Sequence, residues 1–244
     1  MAANYPDMID KTTRRSTQAS AWAVHALTGS GAALGLLALG AVIAGDPKGA
    51  LLWLGAALLI DGLDGSLARK VNVKEALPWF SGDTLDLVID YQNYVIIPAV
   101  FIHRFGLLPD ALSLVGAIYI ALTSLYCFCN LQMKSGDNYF VGFPAIWNVV
   151  ALYLFVIPFP PLVSFAIVIV IGVLTFTTIK FVHPFRVRDF RYLNLGSTAL
   201  WMLSSLVLIL VHPVIPAWAA AVWAVTSVYF IAVCLWRTMR GPQL

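Results

Sequence analysis

Residues 61–90 are DGLDGSLARKVNVKEALPWFSGDTLDLVID, and the fold is organised around this stretch. It ends one apolar run of the sequence and opens the next. Six of the twelve acidic side chains lie within it: Asp61, Asp64, Glu75, Asp83, Asp86 and Asp90. An aspartate near the middle of a membrane helix costs about 2.5–3.5 kcal/mol on insertion scales, so such residues usually have a function. The stretch therefore predicts two membrane helices that are joined by a loop and share a polar site.

The composition outside this stretch is that of a membrane protein. Hydrophobic residues make up 60% of the chain, charged residues 11%, and the mean hydropathy is +0.85. Soluble proteins carry about 25% charged residues. The apolar runs approach the length of about 20 residues that crosses a bilayer as a helix. We therefore expect an all-α polytopic membrane bundle. The net charge of +3 is too small to indicate a nucleic-acid partner.

The apolar runs predict about eight membrane-spanning helices. Their approximate bounds are 22–43, 49–69, 83–103, 109–129, 141–157, 161–180, 194–212 and 215–236. The fifth run contains Pro144, which a buried helix tolerates where it lines a polar cavity.

The first twenty residues are polar. We interpret residues 1–20 as a cytoplasmic or interfacial segment and residues 21–244 as one transmembrane domain. A cleavable signal peptide is the alternative, but the apolar run over 22–43 is too long for a signal core.

The basic residues orient the bundle. With both termini in the cytoplasm, thirteen of the fifteen Lys and Arg residues face inward. Cytoplasmic loops carry such an excess of positive charge. The two outer ones are Lys48 and Arg104. This bias predicts an even number of spans and an acidic site that opens to the cytoplasm.

Helical geometry indicates where the carboxylates point. If Asp61 is taken as zero, Asp64 lies near −60° and Gly65 near +40°, at about 100° per residue. On the following helix, Asp83, Asp86 and Asp90 fall within about 60° of one another. Two such acidic faces, joined by one loop, can converge.

Converging carboxylates cannot all remain ionised unless cations neutralise them. Oxygen ligands suit Mg²⁺ or Mn²⁺, which usually serve a phosphate substrate. Two metal ions can clamp the attacking and leaving oxygens of an in-line displacement. Arg69, at the edge of the loop, is positioned to bind a phosphate oxygen.

The stretch also contains the two-part motif D-x-x-D-G-x-x-A-R and G-x-x-x-D-x-x-x-D. Its fixed positions are Asp61, Asp64, Gly65, Ala68, Arg69, Gly82, Asp86 and Asp90. The motif resembles the signature of CDP-alcohol phosphotransferases, which are integral membrane enzymes of phospholipid synthesis.

The spacing of the motif narrows the resemblance. Twelve residues separate Arg69 from Gly82, more than in most members of that family. The longer gap is similar to that of bacterial phosphatidylcholine synthases. DNYFVGFPAIWN over 137–148 and KFVHPFRVRDFRYLN over 180–194 also resemble blocks of that branch.

The resemblance implies a reaction, transfer of a phosphatidyl group from CDP-diacylglycerol to choline with release of CMP. By the same resemblance, Asp61, Asp64, Asp86 and Asp90 hold two ions of Mn²⁺ or Mg²⁺, and Asp90 is also the base. Binding of CDP-diacylglycerol falls to Thr28, Gly65, Ala68, Arg69 and Gly82. The implied enzyme is a homodimer in the bacterial inner membrane.

Two further groups of candidates concern the substrates. Choline carries a quaternary ammonium group, which aromatic faces bind through cation–π contacts of about 0.5–2 kcal/mol each. We expect its hosts among the aromatic side chains of the cytoplasmic side, foremost Trp147, Tyr139 and Tyr91. Arg186, Arg188 and Arg191 are candidates for the lipid phosphate, although positive-inside bias also explains them. The role of Asp83 is either helix capping or support of the metal ligands.

Other functions remain open at this point. The acceptor could be another alcohol, such as serine, inositol phosphate or glycerol phosphate. A cation or proton transporter is a hypothesis of another class, since such proteins carry acids along an ion path. The acids here cluster beside one loop, which favours the enzyme.

The three cysteines form neither a disulfide framework nor a zinc pattern. We interpret Cys127, Cys129 and Cys234 as core residues.

Overall fold

The protein is a bundle of α-helices in a computed structural model that describes residues 5–133 and 135–241, with side chains from residue 17 onward. Lys11, Arg14, Arg15 and Lys134, which entered the predicted charge bias, have side chains outside this part. The helices are α1 Tyr5–Ala44, α2 Pro47–Val71, α3 Val73–Ala76, α4 Gly82–Tyr91, α5 Ile97–Arg104, α6 Asp110–Cys129, α7 Trp147–Val156, α8 Pro161–Leu174, α9 Arg191–Val211 and α10 Ala217–Met239. A π-helical segment, Gln92–Ile96, joins α4 to α5.

Within the described residues, six helical segments are long and apolar enough to cross a membrane. They are Thr17–Ala44, Pro47–Val71, Gly82–Arg104, Asp110–Cys129, Arg191–Val211 and Ala217–Met239. Two shorter apolar helices, α7 and α8, occupy the fifth and sixth predicted spans. The prediction of an all-α polytopic membrane bundle is confirmed. Helix α1 runs past residue 20 without a break, and the division of the chain there stays a prediction.

Helices α7 and α8 are shorter than predicted because the backbone leaves the helix around them. Strands β1 Phe140–Val141 and β2 Lys180–Phe181 pair antiparallel. Next to them, the N–H of Gly142 donates to the Ile179 carbonyl at 2.8 Å, and the N–H of Phe143 donates to the Leu174 carbonyl at 3.1 Å. These bonds satisfy backbone groups that a helix would have paired internally.

Local signals place the two helices that carry the acids. Helix α2 begins at Pro47, and its N-cap Asp46 accepts a hydrogen bond from the Gly49 N–H at 2.9 Å. Its last residue is Val71, and Asn72, whose backbone is left-handed with φ 52°, forms the C-cap. Helix α4 begins after Ser81, whose hydroxyl accepts from the Thr84 N–H at 3.1 Å. The chain therefore turns between residues 72 and 81 and returns into the bundle.

Candidate active site

Four aspartates of the motif line one cavity between α1, α2 and α4. The lining includes Asp61, Asp64, Asp86 and Asp90. One oxygen of each of Asp61, Asp86 and Asp90 lies within 4.8 Å of the others. Asp64 is the most deeply buried of the four, with 4% of its surface exposed. The convergence of the two acidic faces, expected from helical angles, is thus present.

Helix α1 closes the cavity on a third side. A β-carbon at Gly31 would lie 2.9 Å from Cγ2 of Ile89, so the absence of a side chain lets α1 approach α4 this closely. Thr28, one turn earlier on α1, is buried and also lines the cavity. Its hydroxyl donates to the Val24 carbonyl at 3.3 Å. Thr28 therefore lies beside the acidic cluster, and its role in binding the donor substrate stays a prediction.

The π-helical segment adds an aromatic side chain to the acidic cluster. Tyr94 is buried, and its hydroxyl donates to Oδ2 of Asp61 at 2.6 Å. Pro98, which has no N–H to donate, lies just beyond this segment, and the Ile97 N–H bonds back to the Gln92 carbonyl. Single π turns in helices are frequent at functional sites. The hydrogen bond from Tyr94 fixes one oxygen of Asp61.

Two arginines meet at Gly65, one helical turn beyond Asp61 on α2. A β-carbon on this glycine would lie 3.4 Å from Nη2 of Arg186 and 3.6 Å from Nη1 of Arg69. Arg69 also donates to the Ser66 hydroxyl at 3.1 Å. Positive charge therefore stands beside the negative cluster, as a site for a phosphate ester with bound cations would require.

Comparison with known proteins decides the family. No protein-family model matches the chain. The phosphatidylcholine synthase of Pseudomonas aeruginosa is 53% identical over 223 residues, which are 91% of this chain and 94% of that protein. That of Rhizobium johnstonii is 42% identical over 215 residues, 87% of this chain and 88% of that protein. That of Legionella pneumophila is 35% identical over 201 residues. This chain belongs to the phosphatidylcholine synthase family.

The acidic cavity suits the hard cations expected from the resemblance. Its described lining contains four aspartates and no basic side chain. Four carboxylates this close need cations to remain ionised together. Oxygen ligands of this kind suit Mg²⁺ and Mn²⁺. The residues of this family member therefore fit a divalent metal ion.

The remaining candidates for the donor substrate have packing contacts. Ala68 packs against a small apolar cluster that includes Ala21 and Val24. A β-carbon at Gly82 would lie 2.7 Å from Cε1 of His25, so Gly82 brings α4 close to α1. The role of Ala68 and Gly82 in binding the donor substrate stays a prediction.

The aromatic candidates for choline are not among the described lining residues of the cavity. Trp147 is fully buried, and its indole N–H donates to the Ser124 hydroxyl at 2.8 Å. Tyr139 is fully buried as well, with its hydroxyl 3.2 Å from Oδ2 of Asp189. The Tyr91 hydroxyl donates to the Ala121 carbonyl at 3.1 Å. Their assignment to choline stays a prediction.

The remaining arginine candidates and Asp83 differ in how close they lie to the acidic site. Of the three arginines considered for the lipid phosphate, Arg186 reaches Gly65, whereas Arg188 and Arg191 are exposed. Asp83 forms an exposed ion pair with Lys74 at 2.6 Å, while Ser81 supplies the N-cap of α4. Asp83 is therefore neither the N-cap nor a lining residue of the described cavity.

Neither the contact of Tyr94 with Asp61 nor the close approach at Gly31 was predicted from the sequence. Tyr94 follows Asp90 by four residues, a spacing that places two side chains on the same face of a helix, so this signal was present. For Gly31 the sequence carries no comparable signal, because its closeness to Ile89 depends on how α1 packs on α4.

Proposed function

We propose that this chain transfers a phosphatidyl group from CDP-diacylglycerol to choline, forming phosphatidylcholine and CMP. The proposal is carried by the identity of 53% to a phosphatidylcholine synthase across nearly the whole of both chains. The cluster of aspartates supports it, because the motif that they complete resembles that of enzymes with this chemistry. Acceptors such as serine and the transporter hypothesis are not favoured by the relatives.

The reaction needs one proton transfer and one displacement at phosphorus. Asp90 takes the proton of the choline hydroxyl group. The choline oxygen then bonds to the phosphorus that carries the diacylglycerol, and the bond from this phosphorus to the bridging oxygen breaks. CMP leaves with that oxygen. General-base assistance by a carboxylate contributes about 10²–10⁴-fold.

The four aspartates of the cavity would also hold the metal ions. Asp61, Asp64, Asp86 and Asp90 would bind two ions of Mn²⁺ or Mg²⁺, which when bound would neutralise the acids and offset charge on the phosphate oxygens. Tyr94 would keep Asp61 oriented through its hydrogen bond.

Recognition of the two substrates is part of the proposal. Thr28, Gly65, Ala68, Arg69 and Gly82 would bind the CDP-diacylglycerol. Trp147, Tyr139 and Tyr91 remain candidates for choline, and Arg186, Arg188 and Arg191 for the lipid phosphate.

We further propose that the protein is a homodimer in the bacterial inner membrane, with both termini and the acidic cavity on the cytoplasmic side. Positive-inside bias supports this orientation. Cysteine variants such as Asn72→Cys, in the exposed turn after α2, should react with an impermeant thiol reagent from the cytoplasmic face alone. Reaction from the outer face would reverse the orientation.

The decisive test is turnover by the purified protein. We expect CDP-diacylglycerol, labelled choline and Mn²⁺ to give labelled phosphatidylcholine and an equal amount of CMP. Chelation should stop the reaction, and added Mn²⁺ or Mg²⁺ should restore it. Product from serine or a phosphorylated alcohol, with none from choline, would refute the proposed acceptor.

A further inference from the structure

The approach of Arg69 and Arg186 to one point is unusual for two like charges. Both guanidinium groups lie within 3.6 Å of the position that a β-carbon of Gly65 would occupy. Within residues 17–133 and 135–241, the two ion pairs join Lys74 to Asp83 and Arg237 to Asp137, and neither includes these arginines. Arg186 is close enough to the buried Asp64 to interact with its charge. A bound anion would offset the repulsion between the two cations.

The position of Arg186 is set by its two neighbours in sequence. A β-carbon at Gly62 would lie 3.2 Å from Cε2 of Phe185, so this ring rests on α2 one turn before Gly65. Val187 is buried, with 1% of its surface exposed, and packs against Tyr139 and Val233. Arg186 thus extends from a backbone that is anchored on both sides.

The end of this segment is fixed through Asp189. The Tyr139 hydroxyl donates to Oδ2 of Asp189 at 3.2 Å, and the side-chain N–H of Asn194 donates to the Asp189 carbonyl at 2.8 Å. Burial, together with the negative charge of Asp189, raises the pKa of the Tyr139 phenol, so this group keeps its proton and donates. The Tyr229 hydroxyl in turn donates to Oδ1 of Asn194 at 2.8 Å.

The charge at Gly65 indicates which substrate lies there. Choline is a cation, and two guanidinium groups would repel it. Phosphate oxygens match the planar fork of arginine, which can donate two parallel hydrogen bonds to them. Gly65 lies one helical turn beyond Asp61 on α2, so an anion at this point would lie beside the proposed metal ligands.

We propose that Arg69 and Arg186 together bind the diphosphate of the CDP-diacylglycerol donor, and that Tyr139 is a positioning residue that holds Arg186 there through Asp189. This inference rests on the proposed function, whose donor it concerns. It gives Tyr139 a different role from the choline contact expected from the sequence. It also distinguishes Arg186 from Arg188 and Arg191.

Substitution of Arg186 tests the anion site, with Arg104→Ala, at an exposed arginine at the end of α5, as the control. Arg186→Ala should raise the KM for CDP-diacylglycerol by about tenfold to a hundredfold, the worth of a charge-assisted hydrogen bond. The KM for choline should change by less than about twofold. Arg186→Lys keeps the charge but loses the fork, and should fall between wild type and Arg186→Ala. Equal donor KM values in wild type and Arg186→Ala would overturn the inference.

Tyr139→Phe tests the positioning role, because it removes the hydroxyl and keeps the ring. We expect a higher donor KM and an unchanged choline KM. The double variant with Arg186→Ala should be no worse than Arg186→Ala alone, since both changes act on one contact. A rise in choline KM alone, or lower thermal stability with both KM values unchanged, would overturn the positioning role.

A binding measurement separates this inference from the proposed function. CDP-diacylglycerol in detergent should raise the thermal midpoint of the wild type and of Arg104→Ala, and raise that of Arg186→Ala much less. This result does not require turnover. If the wild type binds the donor in this way but forms no phosphatidylcholine, the proposed function fails and the anion site stands. If turnover is normal and Arg186→Ala is stabilised as strongly as wild type, the anion site fails alone.

Discussion

At the scale of single residues, Asp90 is the most informative position. Asp90→Asn removes the proposed base while keeping the size of the side chain, so kcat for phosphatidylcholine formation should fall about 10²–10⁴-fold. Asp83→Asn is the matched control on the same helix, because Asp83 forms an exposed ion pair with Lys74. Such pairs contribute about 0–1 kcal/mol. Labelled-choline turnover measures both variants, and a similar loss in both would argue against Asp90 as the base.

Trp147→Phe separates packing from choline binding. The indole is buried and donates to Ser124, so a packing role predicts a lower thermal midpoint and a choline KM close to that of wild type. Ser124→Ala removes the acceptor of the same hydrogen bond, so its thermal midpoint and choline KM should be similar to those of Trp147→Phe. If the choline KM rises strongly in Trp147→Phe and stays normal in Ser124→Ala, the aromatic ring contacts choline as the sequence suggested.

The residues of the site differ in how far sequence could locate them. The four motif aspartates could be placed, because their spacings of three and four residues determine a helix face and the loop between the helices is short. Arg186 could be named from the sequence as a candidate for phosphate binding, but it could not be distinguished from Arg188 and Arg191. Its contact with Gly65 depends on long-range packing of Phe185 and Val187, for which no local pattern exists.

At the scale of elements, the contact between α1 and the π-helical segment determines how the acids are presented. The side-chain N–H groups of Gln92 and Asn93 donate to the carbonyls of Ala32 and Gly31 at 3.1 and 3.0 Å. Gly35, one turn further along α1, lies against the amide groups of the same two residues. The absence of a side chain at Gly35 is what allows this approach.

Gly35→Ala should therefore destabilise the protein and reduce turnover. Its β-carbon would overlap the amide groups of Gln92 and Asn93, and overpacking of this kind costs about 1–3 kcal/mol. Gly40→Ala, on the same helix with nothing within 4 Å of the added carbon, is the control and should keep or raise the thermal midpoint. Equal midpoints for the two variants would contradict the close packing.

Helices α7 and α8 are shorter than the helices that the apolar runs predict. The residues flanking these helices are nearly as apolar as the helices themselves, so hydropathy extends both spans to 141–157 and 161–180. The backbone conformation is decided instead by Ala145, with a positive φ of 56°, and by pairing of Phe140–Val141 with Lys180–Phe181. A pairing of two dipeptides across such a distance in sequence has no periodic signature.

At the scale of the whole molecule, the ion pair of Asp137 and Arg237 joins the loop before β1 to the end of α10. Nε of Arg237 lies 2.5 Å from Oδ2 of Asp137, and Arg237 is almost fully buried. Burial raises the pKa of the Asp137 carboxyl, but hydrogen bonds from Ser135 and Arg237 and the charge of Arg237 outweigh this and hold it below its ordinary value of 3.8. The folded state therefore binds this proton less readily than the unfolded chain.

This depressed pKa gives a signed prediction for stability. The contribution of the pair is fully present above the ordinary pKa of 3.8 and is lost as pH falls through the lower value of the folded state. Thermal unfolding in detergent should show Asp137→Asn less stable than wild type near pH 7, with the difference narrowing below about pH 4. A difference that is independent of pH would assign the effect to packing instead of charge.

The π-helical segment has a consequence for how the chain tolerates insertions and deletions. A hydrogen bond that spans five residues accommodates one residue more than an α-helical turn does. The first half of Gly82–Arg104, with Asp86 and Asp90, and the second half, with the buried Phe101 and Ile102, therefore keep their faces although one extra residue lies between them. Removing one residue between 92 and 96 should convert the segment into ordinary α-helix and leave both halves in place. Removing one residue from the α-helical turns on either side would instead turn one half by about 100° against the other. Either the acids or the apolar core would then face the wrong neighbours, so the length of this helix is as constrained as its composition.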